Sequence, residues 1–130
     1  MKIGAALPEH LKVHTQPKRG EIWQVDFEPT VGSEIKKERP ALVISADGLA
    51  RLPLRVVVPI TEWQESFEGS HLHIRINSDT KNKLRKDSAA DIFQIRTVSI
   101  TRMKEYLGEL NQDTVDEVAS AILILVDAAA

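Results

Sequence analysis

The chain has 130 residues, 42% of them apolar and 28% charged, which suits one compact domain with a single sizeable core and excludes intrinsic disorder and collagen-like repeats. It contains no cysteine, so a disulfide scaffold, a Cys-ligated zinc site and a thiol nucleophile are all excluded. A formal net charge of -2 is unlike the broad excess of Lys and Arg that marks a duplex DNA binder, so any nucleic-acid site must be local.

Along the chain, Met1 to Lys18 carries two prolines and two histidines without sustained periodicity and reads as an N-terminal extension that no pattern requires to be ordered. Its opening, MKIGAALPEHLK, has too short an apolar stretch for a secretory signal, and no apolar run approaches the ~20 residues that span a bilayer. We therefore expect a soluble cytoplasmic protein with no membrane partner, its domain running from residue 19 to 130.

From Glu21 to Phe27 the segment alternates, with Trp23, Val25 and Phe27 on one face and Gln24 and Asp26 on the other, which predicts a strand. The stretch Glu28 to Glu38 mixes Pro29, Gly32 and Ser33 with charges and predicts a long loop. Pro40 opens PALVISA, an apolar run consistent with a strand buried on both faces, followed by a turn in ADGLARLP. Leu54, Val56, Val58 and Ile60 then share one strand face, while Arg55, Val57, Pro59 and Thr61 share the other. Pro59 cannot donate to a ladder, which predicts an edge strand, a bulge or a strand end there.

His71 to Ile76 repeats the alternation, with Leu72, Ile74 and Ile76 inward. Beyond the charged turn SDTKNKLRKDS, the run AADIFQIRTVSI predicts one or two strands kinked near Arg96 to Ser99, with Gln94 and Arg96 on one face. ITRMKEYLGEL reads as a short helical turn closed near Gly108. Asn111 then caps a helix to about Val126, with Val115, Val118, Ala119, Ile122, Leu123 and Val126 at helical spacing. Five or six short strands and one helix predict a mainly β fold with α, a small, strongly bent antiparallel barrel with the C-terminal helix packed on it.

The sequence has no GxSxG elbow, Walker loop, HExxH or dinucleotide fingerprint. His71 and His73 share a strand face, but their alternation with Arg75 reads more simply as a solvated face than as a metal site. Trp23 alternates with core residues and reads as buried, while Trp63, in a loop, is open to stacking or packing.

Three blocks carry a family resemblance: RGEIWQVDFEPTVGSEIKKERPALVIS (Arg19 to Ser45), VVPIT (Val57 to Thr61) and FQIRTVSITRM (Phe93 to Met103). Together they resemble MazF/PemK-type toxins, the endoribonuclease halves of type II toxin-antitoxin pairs, over about Arg19 to Val126. The resemblance implies a PemK/CcdB-like, SH3-type barrel that forms a homodimer. It also implies cleavage of single-stranded RNA, mRNA first of all, at short sequences without a metal or other cofactor, and inhibition by a cognate antitoxin. It carries the catalytic role onto Arg39 and Thr61, in a groove at the dimer interface partly covered by the Glu28 to Glu38 loop. Gly32, Ser33 and Glu34 of that loop, with Gln94 and Arg96, fall at positions that support the site or bind RNA. Phe93 departs from a common version of the pattern, in which an acidic residue directly precedes the Gln; here Asp91 lies two residues before Phe93. The related CcdB-like toxins, which poison DNA gyrase without cleaving nucleic acid, are the alternative, and the GSE, RP and VPIT blocks favour the RNase branch.

Those residue types suit the implied chemistry. RNA carries its own nucleophile in the 2′-hydroxyl, so an enzyme must align it, stabilise charge on the pentacoordinate phosphate and assist proton transfer. The planar guanidinium of Arg39 matches phosphate oxygens, but a guanidinium gives up its proton too reluctantly to serve as a base; Glu34 is a candidate for that role. Thr61 can donate a hydrogen bond to the phosphate, Gln94 can read a base edge and Arg96 can hold a phosphate. The plainer readings are a surface Arg39 paired with Glu38 or Glu34, a solvated Thr61 hydroxyl, and an exposed polar strand face at Gln94 and Arg96.

Overall fold

A computed structural model describes residues 16–128. Most of the expected N-terminal extension lies outside these residues. The strands are β1 (Glu21–Asp26), β2 (Glu38–Val43), β3 (Leu54–Glu62), β4 (His73–Ile76), β5 (Ser88–Asp91), β6 (Arg96–Ser99) and β7 (Met103–Glu109), and one helix, α1 (Gln112–Leu125), follows. All strand pairs are antiparallel, in the order β4-β5-β3-β2-β1-β7, with β6 also on β3. The bent antiparallel architecture is as expected, although the strand path ends at β4 and β7 instead of closing.

The apolar alternation explains the core. Ile22, Leu42, Val58 and Ile60 join one cluster with Val115, Val118 and Ala121 of α1, while Trp23, Val25, Ala41, Val43 and Val57 join a second cluster with Phe27, Val98 and Met103. Neighbouring residues on a strand point to opposite faces, so β1, β2 and β3 are buried from both sides. Fully burying an aliphatic side chain of this size contributes about 1.5–3 kcal/mol.

Pro59 neither ends β3 nor places it at an edge. One side of β3 pairs with β2, with Ala41 opposite Pro59. The other side pairs with β6 over Leu54 to Val57 and with β5 over Ile60 to Glu62, so Pro59 falls where that side changes partner. A missing N–H is tolerated at such a break in the ladder. Arg55, expected on a polar face, is 3% exposed. Its guanidinium donates to the carbonyls of Pro17, Leu52 and Leu54 and to the Gln16 side chain, tying the described end of the extension to the domain.

Two other expectations are corrected. The break between β5 and β6 is a 3-10 turn at Ile92–Gln94, before the expected kink, so Gln94 lies outside a strand. Met103–Glu109 forms a strand against β1 instead of a helical turn. The apolar spacing of Met103, Tyr106, Leu107 and Leu110 mimics a helix because register shifts between Ile22 and Trp23 and between Gln24 and Val25 interrupt strand alternation. The C-terminal helix is as expected, with Asn111 accepting from the Thr114 N–H at 2.8 Å. Its inward residues are Val115, Val118 and Ala121, with Ile122 and Leu125 packed against the same cluster, whereas Leu123 and Val126, expected in the apolar face, are exposed: Leu123 lies off the core-facing side and Val126 lies past the end of the helix.

The β4–β5 loop is built on buried Asn82, which accepts from the Asp79 and Leu84 N–H groups and donates to the Asn77 carbonyl. It packs so closely on β7 that a Cβ at Gly108 would meet the carbonyl oxygens of Lys81 and Asn82 at 2.7 Å each. Because those are backbone atoms, Gly108→Ala should destabilise the domain by about 1–3 kcal/mol, read as a lowered urea midpoint at unchanged slope.

Candidate functional site

Local backbone geometry places Arg39 and Thr61. Carrying the Ala41–Pro59 register two residues outward sets Arg39 of β2 opposite Thr61 of β3, just beyond the buried part of the ladder. Both line a groove of about 610 Å³ with Lys83, Arg85, Lys86 and Glu105 among its other walls. The Nε of Arg39 donates to the Lys36 carbonyl at 2.8 Å, which fixes the base of the guanidinium. Among the described residues its terminal NH2 groups have no partner, and no carboxylate pairs with it, contrary to the plain reading that Glu34 or Glu38 neutralises it. The Thr61 hydroxyl is likewise without a hydrogen bond among the described residues. Two adjacent donors aimed at no protein acceptor suit an anion such as a phosphate.

Four cations and two carboxylates, Glu62 and Glu105, line this groove, and Lys86 pairs with Glu62 at 3.4 Å. A net positive groove therefore exists in a chain whose formal charge is -2. The β4–β5 loop walls it, rather than the Glu28 to Glu38 loop the sequence suggested.

The remaining expected site residues gather elsewhere. Ser33, Glu34, Gln94 and Arg96 line a second depression of about 370 Å³ with Phe27, Ile35 and Phe93. Gly32 sits at the loop tip with φ +59, a conformation that favours glycine, and nothing lies near its missing Cβ. The Glu34 carboxylate accepts from the Val31 N–H at 2.6 Å, closing its own loop, and it does not share the Arg39 groove. This removes the support for Glu34 as the base.

Gln94 and Arg96 are also spoken for. The Gln94 amide accepts from the Ile35 N–H at 3.1 Å and donates to the Ser33 carbonyl at 3.0 Å. Arg96 donates to the Phe27 carbonyl at 3.0 Å, with its guanidinium 5.9 Å from the Phe27 ring centroid. Arg102, which the sequence reading passed over, donates to the carbonyls of Asp26 and Glu28. Its signal was only a cation near the end of the third block. These side chains hold the root and crest of the Glu28 to Glu38 loop, so their first role is to position it.

Phe93 is 68% exposed at the edge of this depression, an apolar ring where the family pattern commonly has a carboxylate. Nearby Asp91 lies opposite His73 in the β4–β5 ladder, and burial pushes its carboxyl above the usual carboxylate range while His73 pulls the other way. Trp63 is engaged by packing: Arg75 lies 4.7 Å over its ring, and its edge meets Phe67. His73 is stacked on Phe67 at 3.8 Å and bonded to the Ser70 hydroxyl, so the His71–His73 face is not simply solvated. Among the described residues no group of three metal-ligating side chains converges, and no helix is long and apolar enough to cross a membrane.

Gln94→Leu removes both bonds to the loop while keeping the side chain's approximate size. Amide hydrogen exchange at Ile35 should accelerate by at least tenfold, since a lost donor–acceptor pair costs about 1–3 kcal/mol locally; exchange as slow as in the native protein would show that other contacts fix the loop.

Comparison with known proteins identifies the family. Residues 18–126 match the family described as PemK-like, MazF-like toxin of type II toxin-antitoxin system. Endoribonuclease MazF9 of Mycobacterium tuberculosis is 30% identical over 116 residues, covering 85% of this chain and 96% of the relative. Endoribonuclease EndoA of Bacillus subtilis is 32% identical over 109 residues, covering 82% and 91%. Among solved structures, MazF from Deinococcus radiodurans aligns with a TM-score of 0.73 at 22% identity, covering 88% of this chain and 99% of that one. An endoribonuclease in complex with its cognate antitoxin, from a mycobacterial species, aligns with a TM-score of 0.69 at 16% identity over 88% and 98%. With a match spanning its whole described domain, and with curated relatives covered almost end to end, the chain belongs to the PemK-like, MazF-like toxins of type II toxin-antitoxin systems.

Proposed function

We propose that this protein is an endoribonuclease toxin that cleaves single-stranded RNA, mRNA first of all, at a short sequence and without a metal ion. The observation that carries this reading is the pair of donor groups, the terminal NH2 groups of Arg39 and the Thr61 hydroxyl, which have no partner among the described residues and line one net positive groove at the ends of the paired strands β2 and β3. The endoribonuclease names of the curated relatives support it. They also favour it over the gyrase-binding alternative.

In the proposed reaction the 2′-oxygen attacks the adjacent phosphorus and forms the P–O2′ bond as the P–O5′ bond breaks. The products are a 2′,3′-cyclic phosphate and a 5′-hydroxyl; the 2′-proton leaves to a base and the 5′-oxygen gains a proton. Arg39 holds two phosphate oxygens and offsets the charge that develops on them, and Thr61 donates a further hydrogen bond. The Glu28 to Glu38 loop, held by Gln94, Arg96 and Arg102, presents Gly32, Ser33 and Glu34 to flanking nucleotides.

Incubation of the protein with a long single-stranded RNA in EDTA, with fragment ends mapped, tests this reading. Cleavage at one recurring sequence with cyclic phosphate ends is expected. Arg39→Ala should abolish it, and Thr61→Val should lower the rate by about 100- to 1000-fold, the usual loss for one oxyanion donor. Near-native cleavage by folded Arg39→Ala would overturn the assignment.

The same reading includes a homodimer and a cognate antitoxin. Structures of relatives are described as MazE–MazF and toxin–antitoxin complexes, which supports the antitoxin. For the dimer, α1 exposes Leu123, Ile124 and Val126, at 48%, 65% and 64%, a concentration of apolar surface on one short stretch. Sedimentation at micromolar concentration should show a dimer that Ile124→Glu dissociates; a native monomer would sink this part of the proposal.

A further inference from the structure

We infer that the β4–β5 loop is a preformed phosphate clamp, in which Lys83 and Arg85 grip the RNA backbone beside the Arg39–Thr61 pair. The inference rests on the RNA-cleaving reading and adds to it a binding subsite that the sequence motifs do not contain.

The composition of the loop alone predicts nothing of the kind, because SDTKNKLRKDS reads as an ordinary charged turn. Its construction is unusual. Asn82 is 2% exposed and satisfies three backbone groups of its own loop. The Asp79 carboxylate accepts from the Lys81 and Asn82 N–H groups at 2.9 and 2.7 Å. The Glu109 N–H donates to the Lys81 carbonyl at 3.2 Å, and the close approach to Gly108 fastens the loop to β7. Lys83 follows with φ 56, a left-handed conformation that a non-glycine residue keeps only where the surroundings impose it.

The cations of this loop divide into two kinds. Lys81 pairs with Glu109 at 3.6 Å and Lys86 with Glu62 at 3.4 Å. Lys83 and Arg85 make no side-chain hydrogen bond or ion pair among the described residues, and both line the groove that contains Arg39 and Thr61. Two free cations on a rigid support, next to two free donors, match successive phosphates of a single strand. A support that is already ordered avoids much of the entropy cost of fixing a flexible loop on binding.

Binding of a long 2′-O-methylated single-stranded RNA, which lacks the nucleophile, is measured against salt concentration. Neutralising one phosphate of a single strand contributes about 0.7 to the slope of log K against log salt, so the Lys83→Ala/Arg85→Ala double variant should lose about 1.4 from the native slope. It should also bind more weakly at low salt. Lys83→Arg/Arg85→Lys should retain the slope. Arg51→Ala, which removes a cation lining a different depression, should leave it unchanged.

An unchanged slope in the folded double variant overturns the clamp and leaves these cations to another acidic partner such as a polypeptide. An equal loss in Arg51→Ala overturns it too, because the effect would then be one of overall charge. Cleavage of unmodified RNA by the native protein is followed in parallel. If the native protein cleaves while the double variant keeps its slope, the clamp alone fails; if it neither binds nor cleaves RNA, the nuclease reading and the clamp fail together.

Discussion

The architecture depends on burying β1, β2 and β3 from both sides at once. Ile22, Leu42 and Val58 go under α1 while Trp23, Ala41 and Val57 go into the other cluster, so the middle of these strands is apolar on both faces and the buried polar side chains, Glu21 and Arg55, lie near strand ends. Polar side chains open to solvent are thereby pushed to the strand ends. Arg39 and Thr61 are the first polar pair beyond the last ladder contact between Ala41 and Pro59. Their backbone inherits the rigidity of the core, and their side chains meet solvent.

The same constraint explains the role of Pro59. A central strand with two different neighbours along one side must pass from one ladder to another, and a residue without an N–H suits that junction. Past it, β3 carries Thr61 away from β6 and toward β5, where the β4–β5 loop forms the groove wall. Beyond β5, the 3-10 turn at Ile92–Gln94 sends the chain back to β3 as β6 and places Gln94 and Arg96 under the other loop. Two neighbouring stretches of one strand thus separate a net positive groove from a depression roofed by the Glu28 to Glu38 loop.

Much of this was legible in the residues. The alternation in EIWQVDF, the unbroken PALV run and the Asn111 cap each have one dominant local cause, and the structure forms β1, β2 and α1 there. Short blocks single out Arg39 and Thr61, and the structure brings the two into one groove. What escaped reading depends on distant partners. Met103 to Glu109 becomes a strand only because β1 offers an edge with shifted register. The amide of Gln94 looked free to read a base because nothing in its own segment reveals that Ser33 and Ile35 come to meet it, and Glu34 looked like a catalytic carboxylate because its bond to Val31 is a matter of loop shape.

The bonding of Gln94 has an evolutionary consequence. Its amide behaves like one peptide unit of a missing strand, donating to one main-chain group of the loop and accepting from another. Arg96 and Arg102 also donate to the loop root at carbonyls, Arg96 lying beside the Phe27 ring as well. Anchors that recognise backbone are indifferent to the side chains they hold. Val31 and Ser33 are therefore free to exchange without losing these anchors, while Gly32 is held by its positive φ, Glu34 by its bond to the Val31 N–H and Ile35 by its packing on the core, so the loop crest can vary in chemistry while its shape and the groove at Arg39 and Thr61 stay as they are.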